Sequence, residues 1–235
     1  ADRRWAELDG FDQRGRKADA KSTGSNQRDR EGSVHGPWLA ERRRFDQSFI
    51  DCAVIFLSVV LKKGRAGMNI KTVLVTGCAS GIGLSLADRL FRDGHRVMAT
   101  DINAEALEAV AAERGWSRSK AVLLKTHDVR DCASWEHCVD ALIEHWGQLD
   151  ILMNIAGILV PGYTHEVDQG HVDKHIDINV KGVMFGTSVA SAVMVRQGFG
   201  HIINMASLAG VTPVPGLAVY SGSKHAVRGF TLSAA

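Results

Sequence analysis

The sequence is poor in the features that would mark a cysteine framework, a membrane span or a polyanion binder. Its four cysteines (Cys52, Cys78, Cys132, Cys138) form no C-x-x-C pair and no repeating spacing, which argues against a zinc ribbon or a disulfide framework. A reducing cytoplasm is then the expected compartment. No run of about 18 apolar residues occurs, so a membrane helix of ordinary length is not expected. The longest apolar run, 52–61, lies between Arg42-Arg43-Arg44 and Lys62-Lys63. It sits some fifty residues into the chain with no small-residue cleavage site after it, so it is not read as a targeting signal. Excess charge is lacking too: 28 Lys+Arg stand against 26 Asp+Glu, a net +2 that gives no reason to expect nucleic-acid or membrane binding. What remains is an ordinary globular composition, 45% hydrophobic and 23% charged, with 24 Gly and only 4 Pro over 235 residues.

That near-neutral total averages two unlike parts. Residues 1–67 hold 14 basic and 10 acidic side chains, and residues 68–235 hold 14 and 16. The first 48 residues are rich in Arg, Asp, Gly, Ser and Gln, without a sustained period of 2 or 3.6. They bury too little apolar surface to offset the entropy of ordering, so residues 1–67 are expected to be a disordered or non-native extension. At Met68 the character changes to a domain, 68–235, that opens on a buried strand.

From there short apolar runs at 72–76, 96–100, 121–125, 149–153 and 201–205 alternate with helix-like stretches at 82–93, 103–114, 131–146 and 167–198. A further helix starts near Ala218. Such alternation predicts βαβ units, and hence an α/β fold with a parallel sheet covered by helices on both faces.

The first strand runs into Thr76-Gly77-Cys78-Ala79-Ser80-Gly81-Ile82-Gly83. Glycines here let the backbone turn sharply, approach a pyrophosphate and bring a helix N-terminus against it. A tight strand-to-helix turn without a ligand would use the same residues. Asp101 closes the second strand about 20 residues on, where an acid can bond a ribose 2′-hydroxyl. Alternatively it caps the next helix, a task open equally to Asn103. A carboxylate at this place repels a 2′-phosphate, and neither Ser80 nor Ile102 offers a cation to bind one, so NAD is favoured over NADP. Asp128 with Val129, Asn154 with Ala156 and Gly157, and Ser207 fall at the ends of the third, fourth and fifth strands, where ligands of open α/β sheets bind.

Thirteen residues after Ser207 comes Tyr220-Ser-Gly-Ser-Lys224. On a helix, positions i and i+4 share a face, so the phenol and the ammonium are neighbours. An ordinary helical Tyr/Lys pair would look the same. A phenol with pKa near 10 is a poor base, and bringing it to about 7 takes roughly 4 kcal/mol. A fixed cation, a nicotinamide-ring charge and partial desolvation can supply that together.

Taken in order, Thr76-Gly77-x-x-x-Gly81-x-Gly83, Asp128, Asn154-Ile155-Ala156-Gly157, Asn179, Ser207 and Tyr220-x-x-x-Lys224 resemble the classical short-chain dehydrogenases/reductases over residues 70–235. The resemblance implies a Rossmann-type doubly wound sheet and nicotinamide-dependent oxidation of an alcohol or reduction of a carbonyl. It implies a tetrad of Asn179, Ser207, Tyr220 and Lys224. Tyr220 would exchange the hydroxyl proton, Ser207 would bond the reacting oxygen, and Lys224 would bond the nicotinamide ribose and depress the tyrosine pKa. Asn179 would hold the helix backbone so that a water links Lys224 to solvent. The implied cofactor contacts are Gly77, Ser80, Gly81, Ile82, Gly83, Asp101, Ile102, Asp128, Val129, Asn154, Ala156, Gly157, Tyr220 and Lys224, and no metal is implied. The helices bearing Asn179 and Tyr220 would build a homodimer or homotetramer.

Two departures stand out. The family's doubled Asn is here Asn154-Ile155, with Ile155 expected to pack as an apolar substitute. The family also continues past the Tyr/Lys helix with further strands and a substrate-covering segment, so the domain reads as C-terminally incomplete.

Other signals are weaker. His171 and His175 have the i, i+4 spacing of a metal pair, but with His165 they are expected on a solvated helix face. Cys78 is expected to fill the turn. Leu159, Tyr163, Leu208, Val214 and Leu217 suggest an apolar substrate pocket. The sequence therefore points to an NAD-dependent oxidoreductase acting on a small alcohol or ketone. The rivals are an NADPH-dependent carbonyl reductase and a truncated nucleotide-binding fragment without turnover.

Overall fold

The structure, a computed structural model, describes residues 70–234. The extension expected over 1–67 and the domain start expected at Met68 lie outside the described residues. Five strands, β1 (Thr72–Thr76), β2 (Arg96–Asp101), β3 (Val122–Thr126), β4 (Ile151–Asn154) and β5 (His201–Asn204), form one sheet in the order β3-β2-β1-β4-β5. Every pairing is parallel, with Val73 opposite Val97 on one side and Ile151 on the other. The central strand β1 is buried at all five positions, as a strand covered on both faces must be.

Helices α1 (Gly81–Arg92) and α2 (Ala104–Glu113) cover one face. Gly83, Leu86, Ala87 and Leu90 recur at helical spacing along α1 and pack with Leu107, Ala111 and Trp116 against Val73, Val75 and Val97. The other face is covered by α3 (Cys132–Trp146) and by a long helix, α4 (Gln169–Gln197), through Trp135, Cys138, Leu142, Ala190 and Met194 against Leu74, Met98 and Leu152. Alternate β1 side chains thus feed two separate cores, the signature of a doubly wound Rossmann-type sheet. Helix α5 (Ala218–Ser233) follows β5.

The helix starts follow local chemistry. The side chains of Asn103, Asp131 and Asp168 accept from Ala106 N, Ala133 N and His171 N at the first turns of α2, α3 and α4. Helices α3 and α4 end on Gly147 and Gly198, both with positive φ.

Three details depart from expectation. β4 begins at Ile151, because Leu149 is bonded through both its N–H and its C=O to the Gln197 side chain rather than to a strand. α4 is long and apolar enough to cross a membrane by length and composition, which no continuous apolar run in the sequence indicates. Its apolar residues Ala190, Val193 and Met194 are spent on the sheet core. And α4 is not uniform, for residues Ile176–Lys181 form a π-helical segment between two α-helical ones.

Candidate active site

A cleft of about 470 Å³ runs along the carboxyl ends of the strands. It is lined by Gly77, Ser80, Gly81, Ile82 and Gly83 from the glycine turn, Asp101 at the end of β2 and Ile102 after it, Asp128 and Val129 after β3, and Ala156 and Gly157 after β4. Eleven of the fourteen anticipated cofactor contacts are therefore brought together by the fold.

The glycine turn shows why these positions lack side chains. Gly77 and Gly81 have φ of 74° and 56°, the left-handed region that strains any L residue. A Cβ on Gly83 would stand 2.1 Å from the Gly77 carbonyl oxygen, whereas one on Gly81 would project into open space. Beside the α1 N-terminus, with its unpaired N–H groups, this makes a cradle that any side chain would fill, and it fits a pyrophosphate. Thr76 pins the neighbouring strand end, its Oγ1 accepting from Ile155 N and Ala156 N at 3.0 Å each. Cys78 is fully buried and its thiol donates to Val75 O at 3.2 Å. Burial pushes its pKa far up, so it fills the turn as an inert thiol.

Asp101 does not cap α2; Asn103 does. One Asp101 oxygen accepts from Ala79 N in the glycine turn at 2.9 Å and the other from Asn103 N at 3.0 Å, so the carboxylate ties the turn to the end of β2. Asp128 carries Arg130 on its carboxylate in a fork, with Nε 2.9 Å from Oδ1 and Nη2 2.6 Å from Oδ2. The guanidinium hydrogen bond holds the Asp128 carboxyl below the usual carboxylate range, against the smaller effect of burial.

Arg130, His127, Thr100, Ile155, Ile158 and Ile178 also line the cleft and were not anticipated. His127 and Arg130 flank the Asp128-Val129 pair, and adjacency to those two was the one signal available.

Asn154 is placed differently from expectation. It is 2% exposed, it is not among the lining residues, and its Nδ2 donates to Asn204 Oδ1 at 2.8 Å in the core between β4 and β5. A strand residue at this register points between β4 and α4, so the side chain serves the sheet and not the cleft. Ile155 is buried in the core against β1.

Tyr220 and Lys224 do not line the cleft itself. Lys224 adjoins its end, for its ammonium lies 3.6 Å from where a Cβ on Gly157 would stand. The side chain is almost wholly buried, donates to Met205 O at 2.7 Å and lies 5.8 Å from the centre of the Tyr220 ring. Desolvation by burial lowers its pKa to about 8. Asn179 lies in the π segment and is fully buried. Its Nδ2 donates to Ile158 O and Ser223 Oγ, and its Oδ1 accepts from Ile158 N at 2.8 Å. It therefore clamps the loop after β4 to α5, where a hold on its own helix backbone was expected. Ser207 Oγ accepts from Ala209 N at 3.2 Å, capping a 3₁₀ turn, Leu208–Gly210. That turn is pressed on α5: a Cβ on Gly210 would meet the Lys224 carbonyl at 2.8 Å.

His175 corrects the expectation of a solvated helix face. It is fully buried, donates through Nδ1 to His171 O at 2.8 Å and accepts from Val160 N at Nε2, because α4 turns this side toward the loop after β4. His165 stays exposed, and among the described residues no cluster of His, Cys, Asp and Glu could hold a metal. Leu159, Tyr163 and Leu208 are half or more exposed, whereas Val214 and Leu217 are partly buried.

Comparison with known proteins bears on the family and the fold. The family model for short chain dehydrogenase matches residues 71–235. The chain is 36% identical over 165 residues to 2,5-dichloro-2,5-cyclohexadiene-1,4-diol dehydrogenase of Sphingobium indicum, covering 70% of this chain and 66% of that one. It is 40% identical to sorbitol dehydrogenase of Cereibacter sphaeroides, covering 70% and 63%. The chain thus spans just under two thirds of the length of these curated relatives. Among solved structures it resembles a short chain dehydrogenase/reductase from Burkholderia phymatum in complex with NAD, with TM-score 0.67, 29% identity and coverage of 70% and 59%. It also resembles ElxO with NADP bound, with TM-score 0.65, 28% identity and coverage of 69% and 65%. The chain belongs to the short-chain dehydrogenase family.

Proposed function

We propose that this chain is an NAD-dependent oxidoreductase that interconverts a small alcohol and its carbonyl. The observation that carries the reading is the position of Lys224, a buried ammonium at the end of the glycine-lined cleft with the Tyr220 ring beside it. Among the described residues Lys224 has no carboxylate partner, and the cost of burying such a cation is tolerated where the charge has work to do.

Gly77, Ser80, Gly81, Ile82 and Gly83 would hold the pyrophosphate, and Asp101 the adenosine ribose. When bound, the nicotinamide cofactor supplies the hydride acceptor or donor. Tyr220 gives or takes the hydroxyl proton. Ser207, whose oxygen already accepts from Ala209 N, keeps its O–H free to donate to the reacting oxygen. Lys224 uses one N–H on Met205 O and has two left for ribose hydroxyls. Asn179 positions the Ile158 loop against this group. A homodimer or homotetramer through α4 and α5 belongs to the same proposal.

Tyr220→Phe tests the assignment. Turnover on a panel of alcohols and ketones, followed as NADH absorbance, should fall by at least about 100-fold while NAD binding stays within about twofold, as loss of a proton-transfer group predicts. Turnover near wild type would refute it. An NADP-dependent carbonyl reductase is the second reading, favoured by the Arg130 cation in the cleft. Dissociation constants for NAD and NADP decide between the two, and under the NAD reading Asp101→Ala narrows the gap. Cofactor binding without turnover on any of the panel would favour a nucleotide-binding fragment.

A further inference from the structure

We propose that Arg130 is a cofactor-binding residue of this chain, its guanidinium held by Asp128 against the adenosine half of the dinucleotide. The inference rests on the reading that the cleft takes a nicotinamide dinucleotide.

The sheet order fixes which half Arg130 meets. The pyrophosphate cradle belongs to β1 at the centre, and Lys224 with Tyr220 marks the nicotinamide end beyond β4 and β5. The opposite direction leads over β2, where Asp101 stands, to β3, which is followed by Asp128 and Arg130. A dinucleotide lying across the strand ends therefore brings its adenosine half toward Arg130.

Chemistry supports the same assignment. Among the described residues Arg130 is the only Lys or Arg that lines the cleft, and it is still about half exposed. Its backbone N–H and Nε both donate to Asp128 Oδ1, and Nη2 donates to Oδ2, so the plane of the guanidinium is set before any ligand arrives. A surface arginine ordinarily loses much side-chain freedom on binding, and here most of that loss has already occurred. The fork leaves one Nη2 proton and both Nη1 protons for a ligand on a side chain that is about half exposed, a set suited to stacking on a purine and bonding its ribose. It also offsets the charge of Asp128, one of the two carboxylates that line the cleft.

The test is binding to the full chain by NMR titration, with NAD, NADP, 5′-AMP and nicotinamide mononucleotide as probes. Arg130→Ala should weaken NAD, NADP and AMP alike by about 5- to 10-fold, the size of a preorganised cation–π contact with one hydrogen bond. Nicotinamide mononucleotide should bind as to wild type. Arg130→Lys, which keeps the charge and loses the planar fork, should recover less than half of the deficit. Unchanged NAD and AMP binding, an equal loss on the mononucleotide, or a loss confined to NADP would each overturn the proposal. Absence of NAD binding by the wild-type chain would overturn it together with the dinucleotide reading, whereas wild-type binding with no Arg130 effect leaves that reading standing.

Discussion

The two ends of the cleft are built by different means. On the β1-β2-β3 side the site is made largely of backbone: a turn with two positive-φ glycines, a helix N-terminus, and carboxylates at the end of β2 and two residues past β3, bonded to groups close by in sequence or in the glycine turn. On the β4-β5 side it is made of side chains that reach across the fold, Asn179 to Ile158 and Ser223, Lys224 to Met205, and Asn204 to Asn154 and Thr231. The first end should answer to backbone changes and the second to side-chain truncation.

A glycine pair gives the largest expected effect. Gly83→Ala drives a methyl to 2.1 Å from the Gly77 carbonyl oxygen and 2.9 Å from that of Thr76, both backbone, so the turn must open. Overpacking of this kind costs about 3 kcal/mol or more, and NAD binding should fall below detection in calorimetry. Gly210→Ala meets the Lys224 carbonyl at a milder 2.8 Å. It should shift α5 and cut turnover while NAD affinity stays within a few-fold. Equal loss of binding in both variants would erase the distinction between the two ends.

Asn179→Ala comes next. It leaves the N–H and C=O of Ile158 without partners, and each buried unpaired group costs about 1–3 kcal/mol. Chemical denaturation should show a loss of about 3 kcal/mol, with kcat falling more than NAD affinity. The π segment should also relax toward α-helix if this side chain is what holds it, a change visible as altered amide shifts at Ile176–Lys181.

The difference in construction explains what could be read from the sequence. Alternating apolar runs placed all five strands and the helices between them to within about two residues, because a strand buried on both faces has few other ways to read. The glycine turn, Asp101 and Asp128 were legible as cleft residues for the same reason: their place follows from position relative to a strand end. Asn154 sits at such an end too, and its placement in the core was not legible, since the neighbour that claims it, Asn204, is 50 residues away. The π segment was hidden because apolar periodicity is nearly the same with one extra residue in a turn. Burial of His175 depends on a loop 15 residues earlier. Arg130 looked like any surface charge until the cleft showed which way it faced.

The two perturbed groups sharpen the comparison through pH. Lys224, on the β4-β5 side, is depressed from 10.5 to about 8 by desolvation. Between those values the unfolded chain holds a proton that the folded chain has released, so this group's contribution to stability rises with pH. The span amounts to about 3 kcal/mol. Denaturation of the wild-type chain from pH 8 to pH 10.5 should show that rise, and Lys224→Met should flatten it while abolishing turnover. A slope that survives the substitution would mean that the ammonium is better solvated than its burial implies.

His127 is the counterpart on the β1-β2-β3 side, and its effect should be the smallest. It is 2% exposed, with Nδ1 2.7 Å from Ser134 Oγ, an Nε2 without a partner among the described residues, and its ring edge-on to Trp135 at 4.4 Å. Desolvation lowers its pKa from 6.5 to about 4, and the nearby Asp128 and Asp131 only partly oppose this. As pH falls below 6.5 the unfolded chain takes up a proton that the folded chain refuses, so stability is lost progressively until about pH 4. At pH 5 the loss is about 2 kcal/mol. His127→Gln keeps a polar group facing Ser134 and removes the titration, so its stability should be flat between pH 6.5 and 5 where the wild type declines. Since His127 immediately precedes Asp128, NAD affinity should follow the same pH profile only if the imidazolium, once formed, disturbs the Asp128–Arg130 fork. Parallel profiles in the wild type and in Arg130→Ala would show instead that the histidine acts on the fold alone.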